Sequence, residues 1–383
     1  MASMPDREKP VLLASACDFG WGSLGKLRLV LEELPGVAIA LDTASSLSPT
    51  VRSMLGDRHS FTECKPEAAC AGLVINDPRA ADELTDCGLP VIYLDSLPYL
   101  WTTREEIPRS VAIYCAQKSP ADLPAGSPLA NRRDVTWIDP VVPRSRRRLG
   151  GSGIVINVGG LHSHLSGDST NAYVRLALMP LARLLADASY PVTAVCGNLP
   201  QWAVHALSAL FPGQTKIGPQ TPRNFERTLA AADTLITSPG STTLLQAAAI
   251  GLRTSLLPPQ NLSQILNAEL FSAPSTPNRA WPSSVIDRAK VDSLRPAGED
   301  IVLEYIYGQI IHAAKDKATE AAMTARFAAV LSEIAAGSDA PANVTALGFN
   351  GASQVARFVR QATLAPLPRA QNAIRDRAGS DDR

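Results

Sequence analysis

Small hydroxyl and glycine residues follow a short apolar run in the second half of the chain. The run at residues 234–237 is broken by SPG at 238–240, and STT at 241–243 begins an Ala/Leu-rich stretch that ends at Gly251. This order predicts a buried strand, a tight loop and a helix with hydroxyls in its first turn. Free N–H groups and the positive dipole end at such a helix start can bind phosphate without lysine or metal. An ordinary strand-to-helix turn is the alternative.

Glycines and an aromatic ring follow the first predicted strand, in the segment DFGWGSLGK at residues 18–26. The glycines let a ligand approach the backbone, and Trp21 offers a flat face for stacking. Asp18 lies directly at the strand end, so it is a candidate base, with capping of the next loop as its alternative role. The spacing G-x-G-x-x-G matches a dinucleotide fingerprint, but that interpretation fails because no acidic residue convincingly ends the second strand, Asp42 being the one candidate.

A second polar and aromatic segment, YLDSLPYLW at residues 93–101, follows another predicted strand. Asp95, Tyr99 and Trp101 in this segment are suited to holding a planar ligand by stacking and hydrogen bonding. A packed aromatic turn that closes a domain is the alternative for the same composition.

Two histidines follow a glycine pair in a third loop, GGLHSH at residues 159–164. Their spacing invites a metal interpretation, but two histidines without a cysteine or a placed carboxylate are weak evidence for one. The six cysteines form no C-x-x-C pair. We therefore expect no metal, and either a phosphate- or sugar-facing role or plain loop polarity for His162.

The elements that must position these loops alternate between strands and helices. Strands are predicted in the first half at residues 10–16, 37–41, 72–75, 90–94, 111–115 and 135–138. Further strands are predicted at residues 154–158, 192–196, 215–217, 234–237 and 254–257. Continuous apolar strands with intervening helices indicate parallel α/β sheets covered on both faces, which bind ligands beyond the carboxyl ends of the strands.

Composition sets the class of protein. A length of 383 residues favours two domains, and 45% hydrophobic with 19% charged residues is typical of a globular chain. A net charge of zero argues against a nucleic-acid footprint. No apolar run is long enough to cross a bilayer, and the polar start MASMPDREKP lacks the apolar region of a signal peptide. We expect a reduced, cytoplasmic protein.

The SPG loop, Gly251 and the polar residues between 260 and 267 form an ordered string that resembles the C-terminal half of GT-B nucleotide-sugar glycosyltransferases. In that family the glycine loop and helix start bind the diphosphate, a helix carboxylate bonds the ribose, and polar residues after the next strand bond the sugar. Gln246 stands where the family usually has Glu, so its bond to ribose lacks charge assistance. The resemblance implies an α/β GT-B fold, in which two Rossmann-like domains with parallel sheets face each other across a cleft.

A narrower resemblance lies in DFGWGSLGK, YLDSLPYLW, SPGSTTLLQAAAIGL and PPQNLSQILNA, which together are similar to cytosylglucuronic acid and hydroxymethylcytosylglucuronic acid synthases of nucleoside antibiotic biosynthesis. That family implies inverting transfer from UDP-glucuronic acid to cytosine or 5-hydroxymethylcytosine through a ring nitrogen. UDP-sugar is then a substrate, and neither cofactor nor metal is implied. A uronate would need a cation or donors near Gln260, Lys26 or His162.

The resemblance also assigns residues to each part of the site. Asp18 would be the catalytic base, and Phe225 would pack on the uracil. The residues implied in donor binding are Gly159, Gly160, His162, Phe225, Ser238, Gly240, Ser241, Thr242, Thr243, Gln246, Gln260, Asn261 and Gln264. The residues implied in acceptor binding are Phe19, Gly20, Trp21, Asp95, Tyr99 and Trp101.

The domain boundaries follow from composition and from the same resemblance. We predict an acceptor-binding domain at residues 1–142, a proline-, arginine- and glycine-rich linker at 143–153 and a UDP-sugar-binding domain at 154–349. A helix at residues 350–365 would cross back to the first domain, and residues 366–383 would form a disordered tail.

The expected partners are a UDP-sugar and a small-molecule acceptor, with no nucleic acid and no membrane span, while a homodimer stays open. Three alternative functions also stay open: a glycosyltransferase for another natural-product acceptor, a sugar-nucleotide epimerase, and a non-catalytic nucleotide-binding protein of the same fold. An epimerase needs several acid/base groups around the sugar, and the sequence offers few. Loss of the ribose carboxylate at Gln246 is the feature that favours a degenerate binder.

Replacing Asp18 by Asn tests its role as the base. The change is nearly isosteric, so folding and UDP binding should survive while turnover falls by roughly a hundredfold or more. Steady-state rates at saturating donor provide the measurement. Near-parental turnover would rule Asp18 out as the base, because Asn would still serve a residue that only shapes the glycine loop.

Overall fold

The structure is a computed structural model, and the residues it describes are 10–17, 21–41, 59–120, 122–144, 151–159, 166–211, 213–271, 280–336 and 347–364. Several predicted site residues lie outside these ranges, namely Asp18, Phe19, Gly20, Gly160 and His162. Their assigned roles stay predictions. The same holds for the predicted tail and for part of the predicted linker.

The first sheet consists of seven parallel strands, in the order β3-β2-β1-β4-β5-β6-β7. The strands are β1 (Val11–Ala16), β2 (Ala38–Leu41), β3 (Ser60–Phe61), β4 (Ala71–Ile75), β5 (Val91–Asp95), β6 (Ile113–Gln117) and β7 (Val135–Ile138). Six of them confirm the predicted runs within two residues. The two-residue β3 was not predicted, because it is too short to show any periodicity.

The second sheet has five parallel strands, in the order β10-β9-β8-β11-β12. They are β8 (Ile154–Asn157), β9 (Val192–Cys196), β10 (Lys216–Gly218), β11 (Thr234–Thr237) and β12 (Arg253–Leu256). All five confirm the predicted strands within one residue at either end. The expected α/β architecture with two parallel sheets is therefore confirmed.

Helices cover the sheets and connect most of the strands. The helices of the first half are α1 (Gly22–Glu32) and α2 (Pro78–Asp86). Those of the second half are α3 (Ser169–Tyr173), α4 (Met179–Asp187), α5 (Gln201–Leu210), α6 (Pro222–Ala231), α7 (Ser241–Ala249), α8 (Leu262–Leu270), α9 (Arg288–Leu294), α10 (Glu299–Ala313), α11 (Lys317–Ala336) and α12 (Gly351–Leu364). Across the described ranges, no helix combines the length and the apolar character that a membrane crossing requires.

The last helix packs on the first sheet rather than on the second. Val355, Ala356 and Val359 of α12 are buried in the core that also contains residues of β1, β4 and α1. Gly351 begins this helix so close to β7 that a Cβ atom there would lie 2.0 Å from the carbonyl oxygen of Asp139. The first strand and the last helix of the described residues, β1 and α12, therefore belong to the same domain.

In each sheet the chain adds strands first on one side and then on the other. The change of direction falls between β1 and β4 in the first sheet and between β8 and β11 in the second. Ligands of open parallel sheets bind in the crevice outside the strand ends at such a point. The two crevices face each other, because Lys26 of α1 contacts Thr242 of α7 across the gap.

Candidate functional site

A cleft of about 340 Å³ lies between the two sheets, at both changes of strand direction. Its volume is within the range of small-molecule sites. Trp21 lines it from the first domain and is 42% exposed. The structure also brings together there all the predicted donor-binding residues that it describes: Gly159, Phe225, Ser238, Gly240, Ser241, Thr242, Thr243, Gln246, Gln260, Asn261 and Gln264.

The start of α7 faces this cleft with its backbone N–H groups unpaired by the helix. Gly240 is the N-cap residue and supplies no side-chain cap, and the first backbone bond of the helix runs from Leu244 N to Gly240 O. A Cβ atom added at Gly240 would meet nothing within 4 Å, so the approach to the helix start is open. This geometry places the positive end of a nine-residue helix at the cleft.

Lys26 brings a buried amine to the same point from the first domain. Its side chain is 1% exposed, and its Nζ donates a hydrogen bond of 2.5 Å to Thr242 Oγ1. No carboxylate of the described residues pairs with it, and burial lowers the pKa of Lys26 from 10.5 to about 7. An anion in the cleft would raise that pKa again, because opposite charge favours the protonated amine.

The other cation that lines the described part of the cleft is already neutralised. Arg28, also on α1, forms ion pairs of 2.9 Å with Glu32 and 2.5 Å with Glu226 of α6. Its guanidinium therefore joins the two domains and contributes little net charge to the cleft. Lys26 is the lining cation left for a bound anion among the described residues.

Gln246 has a buried side-chain amide whose nitrogen donates no hydrogen bond within the described part of the chain. The residue is 4% exposed, lines the cleft, and its Nε2 has no hydrogen-bond partner among the described residues. A buried unsatisfied donor costs about 1–3 kcal/mol, so such a group in a cleft is suited to a ligand oxygen.

The polar residues after β12 bond mainly to one another. Gln260 Nε2 donates to Val158 O at 3.0 Å and to Ser238 Oγ at 2.6 Å. Gln264 Oε1 accepts from Gln260 N at 2.9 Å, and Asn261 caps α8 by accepting from Gln264 N. These bonds fix the loop, so that a ligand would meet a preformed polar surface. Direct contact of these side chains with a sugar stays a prediction.

Asp95, predicted to contact an acceptor, lies behind the wall of the cleft. It is fully buried and accepts from Tyr114 Oη at 2.7 Å, Trp101 Nε1 at 2.8 Å and Leu97 N at 2.9 Å. Burial raises the pKa of its carboxyl to about 6 against the lowering effect of these three bonds. Asp95 and Trp101 therefore hold the turn after β5, and their acceptor-binding role stays a prediction.

Tyr99 lies in the same turn and joins the domains. It is buried among residues of the second-domain core, and its hydroxyl donates to Asn267 Oδ1. Asn267 Nδ2 in turn donates to Pro239 O at 2.8 Å, in the loop that precedes α7. The hydroxyl of Tyr99 therefore supports the loop before α7 from behind, and an acceptor contact of this residue stays a prediction.

Ser23, Asn76, Ser96 and Asn157 are among the polar residues of the cleft that the sequence analysis did not assign to the site. Asn157 Nδ2 donates to Thr237 Oγ1 at 3.0 Å, and its Oδ1 accepts from Gly159 N at 3.2 Å. Asn76 and Ser96 directly follow β4 and β5, and Ser23 is in the first turn of α1. Three of these residues, Asn76, Ser96 and Asn157, lie at or just beyond the end of an apolar strand. This position in the sequence could have marked them as site candidates.

Two parallel sheets that face each other across a cleft at their strand ends define the GT-B fold. S. aureus MnaA in complex with UDP shares it with a TM-score of 0.50 and 8% identity, over 92% of this chain and 96% of that chain. Acinetobacter baumannii MurG matches with a TM-score of 0.47 and 12% identity, over 92% and 99%. LpCGTa in complex with UDP matches with a TM-score of 0.47 and 14% identity, over 93% and 99%.

The family is narrower than the fold. Residues 45–300, more than half of the 383, match the family described as CGA synthase-related protein. The chain belongs to this family, which confirms the resemblance drawn from the sequence. No functionally curated protein matches the sequence at a significant level.

Lys26→Met should stabilise the free protein at pH 7. Folding lowers the pKa of Lys26 from 10.5 to about 7, so between these pH values the unfolded chain binds a proton that the folded chain lacks. Burial of the amine therefore lowers the free energy of unfolding below pH about 10.5, and this loss is complete below pH about 7. Removing the amine should raise the melting temperature by about 5 °C at pH 7, and by less at pH 10. Circular dichroism melts at the two pH values provide the measurement, with the exposed Lys216→Met as control. A lower melting temperature at pH 7 would show that the amine is not a buried charge.

Proposed function

We propose that this protein is an inverting glycosyltransferase that moves glucuronic acid from UDP-glucuronic acid to cytosine or 5-hydroxymethylcytosine, forming an N-glycoside. The observation that carries the proposal is the buried Lys26, which pairs with no carboxylate of the described residues, against the open start of α7. The substrates come from the family, whose description names a CGA synthase, which we take as cytosylglucuronic acid synthase.

The donor diphosphate would lie between α7 and Lys26. Backbone N–H groups at the start of α7 and the hydroxyls of Thr242 and Thr243 would donate to the phosphate oxygens. The Lys26 amine, protonated in the presence of this charge, would bind from the opposite wall. Both groups would stabilise the UDP leaving group as negative charge develops on it.

The nucleoside would extend along the second domain. Phe225 is half-buried at the cleft and offers a ring for the uracil. Gln246 Nε2 would donate to a ribose oxygen, which would satisfy the buried amide. This contact replaces the carboxylate that related glycosyltransferases use for the ribose.

The chemical step would be a single displacement at the anomeric carbon. A base, proposed as Asp18, takes the proton from the acceptor nitrogen as that nitrogen forms its bond to the anomeric carbon. The bond from the anomeric carbon to the β-phosphate oxygen breaks at the same time, and its electron pair leaves with UDP. Because attack comes from the face opposite the leaving group, the configuration inverts. We propose that α7 and Lys26 make a divalent metal unnecessary for this departure.

Incubation with UDP-glucuronic acid and cytosine, with mass detection of products, tests the proposal. Cytosylglucuronic acid and UDP should form in equal amounts, and EDTA should not reduce the rate. The UDP-induced rise in melting temperature should likewise survive EDTA. Product from another acceptor only would support a different natural-product glycosyltransferase, and a UDP-sugar epimer without acceptor would support an epimerase. UDP binding with no turnover on any acceptor would support a non-catalytic binder.

Gln246→Leu should weaken UDP binding by about 1 kcal/mol, the scale of one hydrogen bond, or roughly fivefold in Kd. The free protein should not lose stability, because the change removes an unsatisfied buried donor. Calorimetric titration with UDP and with 2′,3′-dideoxy-UDP isolates the ribose contact. The variant and the parent should bind the dideoxy ligand alike. An equal loss with both ligands would place Gln246 away from the ribose.

A further inference from the structure

Three small polar residues meet at the floor of the cleft in the first domain. Ser23 is in the first turn of α1, Asn76 follows β4, and Ser96 follows β5. Since β1, β4 and β5 are adjacent in the sheet, their carboxyl ends bring these residues to the same crevice. All three line the cleft and are more than nine-tenths buried. We call Ser23, Asn76 and Ser96 the serine–asparagine cluster.

The orientation of the Asn76 amide follows from its backbone partner. The Ser96 N–H can only donate, and it does so to Asn76 Oδ1 at 2.8 Å. Asn76 Nδ2 therefore faces the two serines and donates to Ser23 Oγ at 2.9 Å and to Ser96 Oγ at 2.8 Å. Asn76 has a positive φ of 54°, a conformation that Asn and Asp tolerate better than most residues.

The two hydroxyls are consequently acceptors toward Asn76 and free as donors. Neither Ser23 Oγ nor Ser96 Oγ donates a hydrogen bond to any described residue. The cluster thus presents two uncommitted O–H donors side by side. A ligand group with two acceptor oxygens and no proton fits this arrangement.

The positive charge around the cluster favours a ligand group that is an anion over one that is an uncharged hydrogen-bond acceptor. The eleven-residue α1 points its N-terminus into the cleft, Trp21 at its N-cap makes no side-chain cap bond, and Lys26 lies one turn further along. A residue three positions along a helix is displaced by about 4.5 Å, which is near the size of a hexose ring. A sugar attached to a diphosphate at Lys26 would therefore bring its substituents to Ser23.

We infer that the serine–asparagine cluster binds the carboxylate of an acidic donor sugar and so selects a uronic acid over a neutral hexose. The inference rests on the proposed function, since it requires the diphosphate at Lys26 and α7. The two carboxylate oxygens would accept from Ser23 and Ser96, with the N-terminus of α1 supplying further positive potential. Asn76 acts through the serines and is a positioning residue.

Calorimetric titrations of the parent and its variants with UDP, UDP-glucose and UDP-glucuronic acid test this assignment. The parent should bind UDP-glucuronic acid about tenfold or more tighter than UDP-glucose, because hydrogen bonds to a charged group are the stronger ones. Ser23→Ala and Ser96→Ala should each remove most of that ratio, while the Kd of UDP changes less than twofold. The control Ser127→Ala, a buried serine of the first domain that does not line the cleft, should keep the ratio.

Asn76→Asp is the sharpest variant, because it keeps shape and backbone tolerance but reverses the hydrogen bonds. Asp accepts from both serine hydroxyls and adds a negative charge, so UDP-glucuronic acid should bind more weakly than UDP-glucose. A parent without preference between the two sugars, or serine variants that keep the parental ratio, would overturn the inference. If the serine variants instead raised only the KM of the base acceptor, the cluster would be an acceptor site and the inference would be wrong. Failure of UDP itself to bind the parent would contradict the proposed function separately.

Discussion

The burial of one amine between two helix N-termini is the constraint on which the rest of the site depends. Lys26 is 1% exposed, and among the described residues its neighbours across the cleft are the hydroxyl of Thr242 and the start of α7 rather than a carboxylate. Such a group costs folding free energy, and its pKa falls to about 7. A buried amine beside two facing dipole ends is suited to an anion, whose charge would offset the cost of burying the amine.

The walls that bury this amine are held by contacts that cross the cleft. Arg28 pairs with Glu226 of the second domain, and Tyr99 donates to Asn267, which in turn supports the backbone at Pro239. These bonds account for polar and aromatic residues that a sequence would assign to ligand binding. They set the distance between α1 and α7, and therefore the space available to a diphosphate.

The sheets and the start of α7 could be predicted because their signals are local. Apolar strands with periodic helices show in the sequence, and Gly240 with its following hydroxyls predicted a helix start that the structure describes at Ser241. The contact of Tyr99 with Asn267 could not be predicted, because composition cannot tell whether an aromatic residue faces a ligand or another domain. Asn76 was missed because its partners are distant in sequence: Ser23 precedes it by 53 positions and Ser96 follows it by 20.

The amide at Gln246 fits a cleft whose described lining residues carry no unpaired negative charge. Among the described lining residues the carboxylate of Glu226 is paired with Arg28, and Asp95 lies behind the wall. Two unit charges about 10 Å apart interact by about 1–2 kcal/mol at an effective dielectric constant of 20. A carboxylate at the ribose would therefore repel a donor with a uronate in addition to its diphosphate. Gln246 retains hydrogen bonding without that cost, so its departure from the usual glutamate is consistent with the charge of the proposed donor.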